Sequence, residues 1–184
     1  MEMLDIIDEK GNPTGEIIDR SIAHLNGIRH RTAHVWILRK KNNRIQVLLQ
    51  KRSVHKDSYP DCYDISSAGH ILAGCDYIES ALRELKEELG VSVREDELVF
   101  AGIRNLEYKD VFHHQVFHDV EVSYIYVLEM DREDFVLQKE EVSEVQWFDF
   151  DECYQMVINN TFKHCIYTEE LDIVKEGIKQ LNFF

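Results

Sequence analysis

The chain has 184 residues, 44% of them hydrophobic and 30% charged, which is enough for one domain that buries its own core without disulfides or a structural metal. Its formal net charge of -14 excludes a protein that grips long nucleic acid through the backbone, since that contact runs on Lys and Arg neutralising phosphates. No apolar run approaches the roughly 20 residues of a membrane span. The start Met1-Glu2-Met3-Leu4-Asp5 lacks a signal peptide's basic and apolar segments, and Cys62, Cys75, Cys153 and Cys165 form no CxxC pair, so the expectation is a cytoplasmic protein with reduced thiols.

In chain order, Leu4 to Ile7 and Glu16 to Ile18 flank Asp8-Glu9-Lys10-Gly11-Asn12-Pro13 and predict a hairpin. Asp19 to Gly27 predicts a short connecting turn or helix. Ala33 to Leu38 and Ile45 to Leu49 surround the polar Lys40-Lys41-Asn42-Asn43 and predict a second hairpin, followed by a short strand over Tyr63 to Ser67. From Asp76 to Leu89 the period changes. Ile78, Leu82, Leu85 and Leu89 recur at helical spacing, and Gly90 stands where a helix closes on a left-handed glycine.

Val, Ile, Tyr and Phe then predict strands over Val99 to Ile103, Gln115 to Val120, Val122 to Glu129 and Val142 to Phe148. Asp149 or Asp151 would cap a helix through Ile158, and Glu169 to Leu181 carries a last amphipathic pattern. The only prolines are Pro13 and Pro60, and no repeat or linker interrupts the chain. The expectation is one unit over 1–184, with a hairpin and connector over 1–30 and helices over 150–184. Its fold class is α+β, a mixed sheet with helices packed on it.

On the central helix Glu84, Glu87 and Glu88 stand at i, i+3 and i+4, so their carboxylates share one face opposite the apolar stripe. Such a face can be merely solvated. Yet like charges at this spacing cost roughly 0.2 to 0.5 kcal/mol per pair, and Glu87 and Glu88 sit where the helix dipole disfavours anions. A bound dication would reverse both penalties, which makes a metal site the competing reading.

Residues 69–91 read Gly69-His70-Ile71-Leu72-Ala73-Gly74-Cys75 and then, from Arg83, Arg-Glu-Leu-Lys-Glu-Glu-Leu-Gly-Val. The segment resembles the Nudix box, and every defining position matches except Cys75, which replaces the first glutamate. The resemblance implies an α/β/α sandwich and a hydrolase of diphosphate linkages in a small molecule. Glu84, Glu87 and Glu88, with the carbonyl of Gly69, would hold Mg²⁺, for which Mn²⁺ can substitute. Arg83 would orient the acids, and Glu84 is one candidate for the general base. Cys75 puts the usual partner of Arg83 in doubt, and Asp76 is the nearest replacement. A homodimer is one assembly the resemblance leaves open.

The N-terminal hairpin and the stretch from Ala23-His24 to His30-Arg31 are similar to the branch near isopentenyl-diphosphate isomerase. That enzyme binds a metal through histidines and acids that His24, His30, His70 and Glu121 resemble, with Asp119 as a further acid. They form a second candidate metal or substrate site. The isomerase's catalytic cysteine precedes the Gly-His pair, whereas here Ala68 does, so hydrolysis is expected over isomerisation. A non-catalytic binding module, the third reading, would have little reason to keep all three acids. Tyr59, Pro60, Tyr63 and Phe112 are candidate lining residues for a ligand cleft. Tyr108 falls where diadenosine-polyphosphate hydrolases carry a tyrosine. One of Glu140, Glu141 and Glu144 could add an acid from a loop, and the His113-His114 cluster with His118 reads as surface.

Overall fold

A computed structural model describes residues 2–181 and 183. Met1, Asn182 and Phe184, at the ends of the span expected as one unit, lie outside the described residues. The first hairpin pairs β1 (Met3–Ile7) with β2 (Pro13–Asp19). Asp8 shapes its turn, accepting from the backbone of Lys10 at 2.8 Å and of Asn12 at 2.9 Å. The connector is helical, α1 (Arg20–Asn26), with Asp19 accepting from the Ser21 backbone at its start.

The second hairpin joins β3 (His30–Lys41) to β4 (Arg44–Arg52). β3 is buried on both faces: Ala33, Val35 and Ile37 point one way, Trp36 and Leu38 the other. The single strand expected over Tyr63 to Ser67 is instead two pieces, β5 (Tyr63–Asp64) on β4 and β6 (Ser67–His70) on β3. Ser66 stands at the break. Its hydroxyl donates to the carbonyl of Leu48 at 2.6 Å and accepts from the amide of Ile37 at 2.7 Å, so it bridges β3 and β4 where they part.

The central helix α2 (Tyr77–Leu89) begins at its Asp76 cap and ends at Gly90, whose φ of 65° a side chain would strain. A 3₁₀ turn over Glu95–Glu97 leads into β7 (Leu98–Phe112) and β8 (Gln115–Glu129). β8 is one strand where two were expected. Glu121 parted the two expected strands, yet it is buried with Asp119 and Ser123 on one face of a continuous strand. β9 (Val142–Asp149), α3 (Phe150–Ile158), capped by Asp149, and α4 (Thr168–Ile178) complete the chain.

The sheet runs β5-β4-β3-β8-β7, with β6 also on β3 and β9 on β4. The β3 to β8 pairing is parallel and the others antiparallel, so the sheet is mixed. Ala81, Leu85 and Leu89 of α2 pack on one face; Phe150, Cys153 and Val157 of α3 with Leu171, Val174 and Ile178 of α4 cover the other. This is the expected α+β fold, an α/β/α sandwich. The four cysteines are unpaired. No helix among the described residues is long and apolar enough to cross a membrane.

Candidate active site

Burying its apolar stripe turns the acid face of α2 toward β6. Glu88 is 5% exposed and accepts from the Ser67 hydroxyl at 2.8 Å and the Ala68 amide at 3.3 Å. Burial, reinforced by the charge of Glu84, pushes its carboxyl up to about 8. Burial likewise raises Glu84 to about 7, against the pull of Arg83. Glu87 is half-exposed at the cleft mouth. The Arg83 guanidinium lies 2.7 Å from Glu84 and 3.8 Å from Glu87, and donates to the His70 carbonyl at 3.1 Å. Gly69 is fitted against Glu84, because a Cβ there would fall 2.1 Å from the Glu84 carboxyl carbon. A buried acid, Glu88, a partly buried one, Glu84, and a backbone cradle without a side chain form a pocket of hard oxygen donors.

Beside it, His24 from α1, His30 from β3 and His70 from β6 each bring a ring nitrogen within 4.8 Å of the others, and a His30 nitrogen lies within the same distance of carboxylate oxygens of Asp119 and Glu121. His24 and His70 are 3.2 Å apart through Nε2. His30 Nδ1 lies 2.9 Å from the Ile28 carbonyl, to which it can only donate, so its Nε2 carries the lone pair. That Nε2 faces Asp119 Oδ1 at 3.4 Å, and neither atom has a hydrogen-bond partner. Burial holds His30 and His70 below their ordinary range and His24 at about 3, leaving neutral imidazoles suited to a cation.

One cleft joins these groups to an inner end formed by His34, Arg104, Glu121 and Glu170, walled by Tyr59, Tyr108 and Tyr167. Glu170 accepts from His34 at 2.8 Å and from the Trp36 indole at 2.9 Å. Lys56 also lines the cleft, paired with Glu141.

The NUDIX domain family model matches residues 28–165. The chain belongs to the Nudix family. It is 41% identical over 163 residues to Nudix hydrolase 3 of Arabidopsis thaliana, covering 82% of this chain and 20% of that one. It is 36% identical over 160 residues to an uncharacterized Nudix hydrolase of Clostridium acetobutylicum, covering 86% of this chain and 75% of the other. The chain thus spans about a fifth of the Arabidopsis relative and three quarters of the bacterial one. A crystal structure from Deinococcus radiodurans shares the fold with a TM-score of 0.68 at 18% identity, over 95% of this chain and 98% of that one. The NUDIX domain of Shewanella oneidensis NrtR, complexed with ADP ribose, does so at 0.53 and 17% identity, over 90% and 94%.

The cleft of this Nudix domain brings together Arg83, Glu84, Glu87, Glu88 and Gly69 with His24, His70 and Glu121, while His30 lies buried behind its wall. Asp76 does not take the place of the missing glutamate. Its carboxylate is spent on the Tyr77 amide at 2.6 Å, capping α2, and Arg83 leans on Glu84 and the His70 carbonyl instead. Of the lining candidates, Tyr59 lines the cleft, as does Tyr108; Pro60 and Phe112 lie outside its lining, Phe112 against the Tyr59 ring, and Tyr63 packs on the core and donates to Glu144 at 2.8 Å. Glu141 is the loop acid that reaches the cleft. His113 and His114 form the β7–β8 turn, at φ 49° and 66°. Sequence reasoning missed Lys56, His34, Arg104 and Glu170. Arg104 and Glu170 interrupt otherwise apolar faces, which was the available signal.

Proposed function

We propose that this chain is a magnesium-dependent hydrolase that cleaves a diphosphate linkage in a small, nucleoside-diphosphate-type substrate. The observation that carries the reading is the buried Glu88 with the partly buried Glu84, both carboxyls raised by desolvation, beside a glycine that leaves Glu84 room. Such an arrangement is costly unless a cation joins it. Glu84, Glu87, Glu88 and the Gly69 carbonyl would hold Mg²⁺ or Mn²⁺. When bound, the ion neutralises the diphosphate and lowers the pKa of the attacking water.

The rest falls to the chain's own groups. Arg83 fixes Glu84 by its 2.7 Å contact, and Ser67 with the Ala68 amide fixes Glu88. Glu84, lining the cleft beside Arg83, is the candidate to take a proton from the water. Lys56 and Arg20 line the cleft and place positive charge for phosphate oxygens. The histidine cluster with Asp119 and Glu121 supports a second cation or substrate site, and its orphaned His30 Nε2 and Asp119 Oδ1 fit one. Isomerisation is the reading that cluster also favours, but it needs a group that protonates carbon, and Ala68 offers none.

The test is to incubate the full chain with Mg²⁺ and a panel of nucleoside triphosphates, dinucleotides, sugar nucleotides and isopentenyl diphosphate, following products by phosphorus NMR. A Glu87→Gln, Glu88→Gln double variant serves as control. Diphosphate cleavage lost in the control is expected. Rearrangement of isopentenyl diphosphate without phosphate release would replace hydrolysis by isomerisation.

A further inference from the structure

The inner end of the cleft holds a donor that the hydrolytic groups do not use. Arg104, 7% exposed on β7, donates through Nη2 to Glu121 at 2.8 Å, and its Nε lies 3.3 Å from Glu170. Its guanidinium rests over the Tyr167 ring, 4.7 Å from the centroid. Nε and Nη1 are both buried without a hydrogen-bond partner, but Nε has the Glu170 carboxylate beside it, whereas no acceptor among the described residues faces Nη1. Arginine carries donors only and stays protonated, so a buried, unpartnered N–H calls for an acceptor. Two carboxylates, Glu121 and Glu170, already answer the charge. The group suited to Nη1 is therefore a neutral acceptor rather than another phosphate. The walls around it are the rings of Tyr59, Tyr108 and Tyr167, which suit a flat partner.

We propose that Arg104 is a specificity-determining residue, whose Nη1 donates to a carbonyl oxygen on a flat ring attached to the substrate's diphosphate. The assignment of the diphosphate to the other end of the cleft rests on the hydrolase reading. A branched hydrocarbon in this place would strand the donor away from water, and the site selects against it.

Binding of uncleavable analogues tests this apart from turnover. The full chain is titrated calorimetrically, with Mg²⁺, against α,β-methylene uridine and guanosine diphosphates and against the benzyl and 3-methylbutyl esters of methylenediphosphonate. At least one nucleotide analogue is expected to bind tenfold or more tighter than both esters, about 1.4 kcal/mol. Arg104→Lys, which keeps the charge facing Glu121 and Glu170, should erase that preference and leave the esters' affinities unchanged. If that variant fails to fold, the order of ligands on the unaltered chain decides alone. Equal binding of all four, tighter binding of the 3-methylbutyl ester, or no measurable nucleotide binding would overturn the proposal. Hydrolysis of natural diphosphates without the preference would sink the proposal and spare the hydrolase; the preference without hydrolysis would do the reverse.

Discussion

At Gly69 a single methyl group decides whether Glu84 keeps its place. A Cβ would fall 2.1 Å from the Glu84 carboxyl carbon and 2.3 Å from its Cγ. Gly69→Ala is therefore expected to cost about 1 to 3 kcal/mol of stability and about 100-fold in kcat, the penalty of displacing a catalytic group by an ångström. Steady-state kinetics beside thermal melting checks both; unchanged kcat would remove Gly69 from the site. Arg83→Lys probes the same corner. Lysine keeps the charge but loses the planar fork whose Nη2 meets Glu84 and the His70 carbonyl while Nη1 faces Glu87, so kcat should fall about tenfold with melting unmoved. The box residues were legible because their types and spacing recur locally along one helix. The substitute for the missing glutamate was not. Asp76 is adjacent in sequence, but a cap position outside the helix sends its carboxylate to the Tyr77 amide.

Among the elements, α2 was readable to within a residue, because its apolar period and closing glycine agree. β8 was not, although Asp119-Val120-Glu121-Val122-Ser123-Tyr124 alternates as a strand does: Glu121 reads as a gap between two apolar runs, whereas the fold buries it with Asp119 and Ser123 on one face. α4 was visible as an amphipathic helix, but its anchoring contact spans 136 residues of sequence, from His34 to Glu170. Burial alone would raise Glu170; His34 and Arg104 outweigh it and hold the carboxyl at about 2. A carboxyl depressed in the folded state adds stability above its unfolded value near 4.5 and loses it as pH falls toward 2. Glu170→Gln should therefore cost about 3 kcal/mol at pH 7, a gap that shrinks below pH 4.5 and closes near pH 2. Urea unfolding of both proteins across that range measures it. An equal gap at pH 7 and pH 2 would mean that α4 is held by packing rather than by the ion pair. His34 shifts the opposite way, so its share of the stability is lost as pH rises through its raised value.

For the whole molecule, composition foretold a chain that buries a core of its own, and the second hairpin, β3 with β4, lies at the heart of the seven-stranded sheet, while the first forms a two-stranded sheet apart from it. What no local pattern foretold is that Glu88 would be buried, and Glu84 largely so, rather than left on the surface. Glu88 ionises at about 8 when folded and near 4.5 when unfolded, so the protein without a cation loses stability as pH rises between those values. Glu88→Gln removes that loss and keeps an acceptor for the Ser67 hydroxyl. The cation-free variant is therefore expected to melt higher than the parent at pH 8, by several degrees for about 3 kcal/mol, and to match it at pH 4. Adding Mg²⁺ should raise the parent's midpoint, by about 2.7 kcal/mol of stability at 100 times its Kd, and leave the variant nearly unmoved. The two melting curves would thus converge as Mg²⁺ is added, because the same burial that weakens the apo fold is what a cation relieves. If Mg²⁺ shifted both proteins equally, the ion would be acting elsewhere, and the histidine cluster would be the place to look for it.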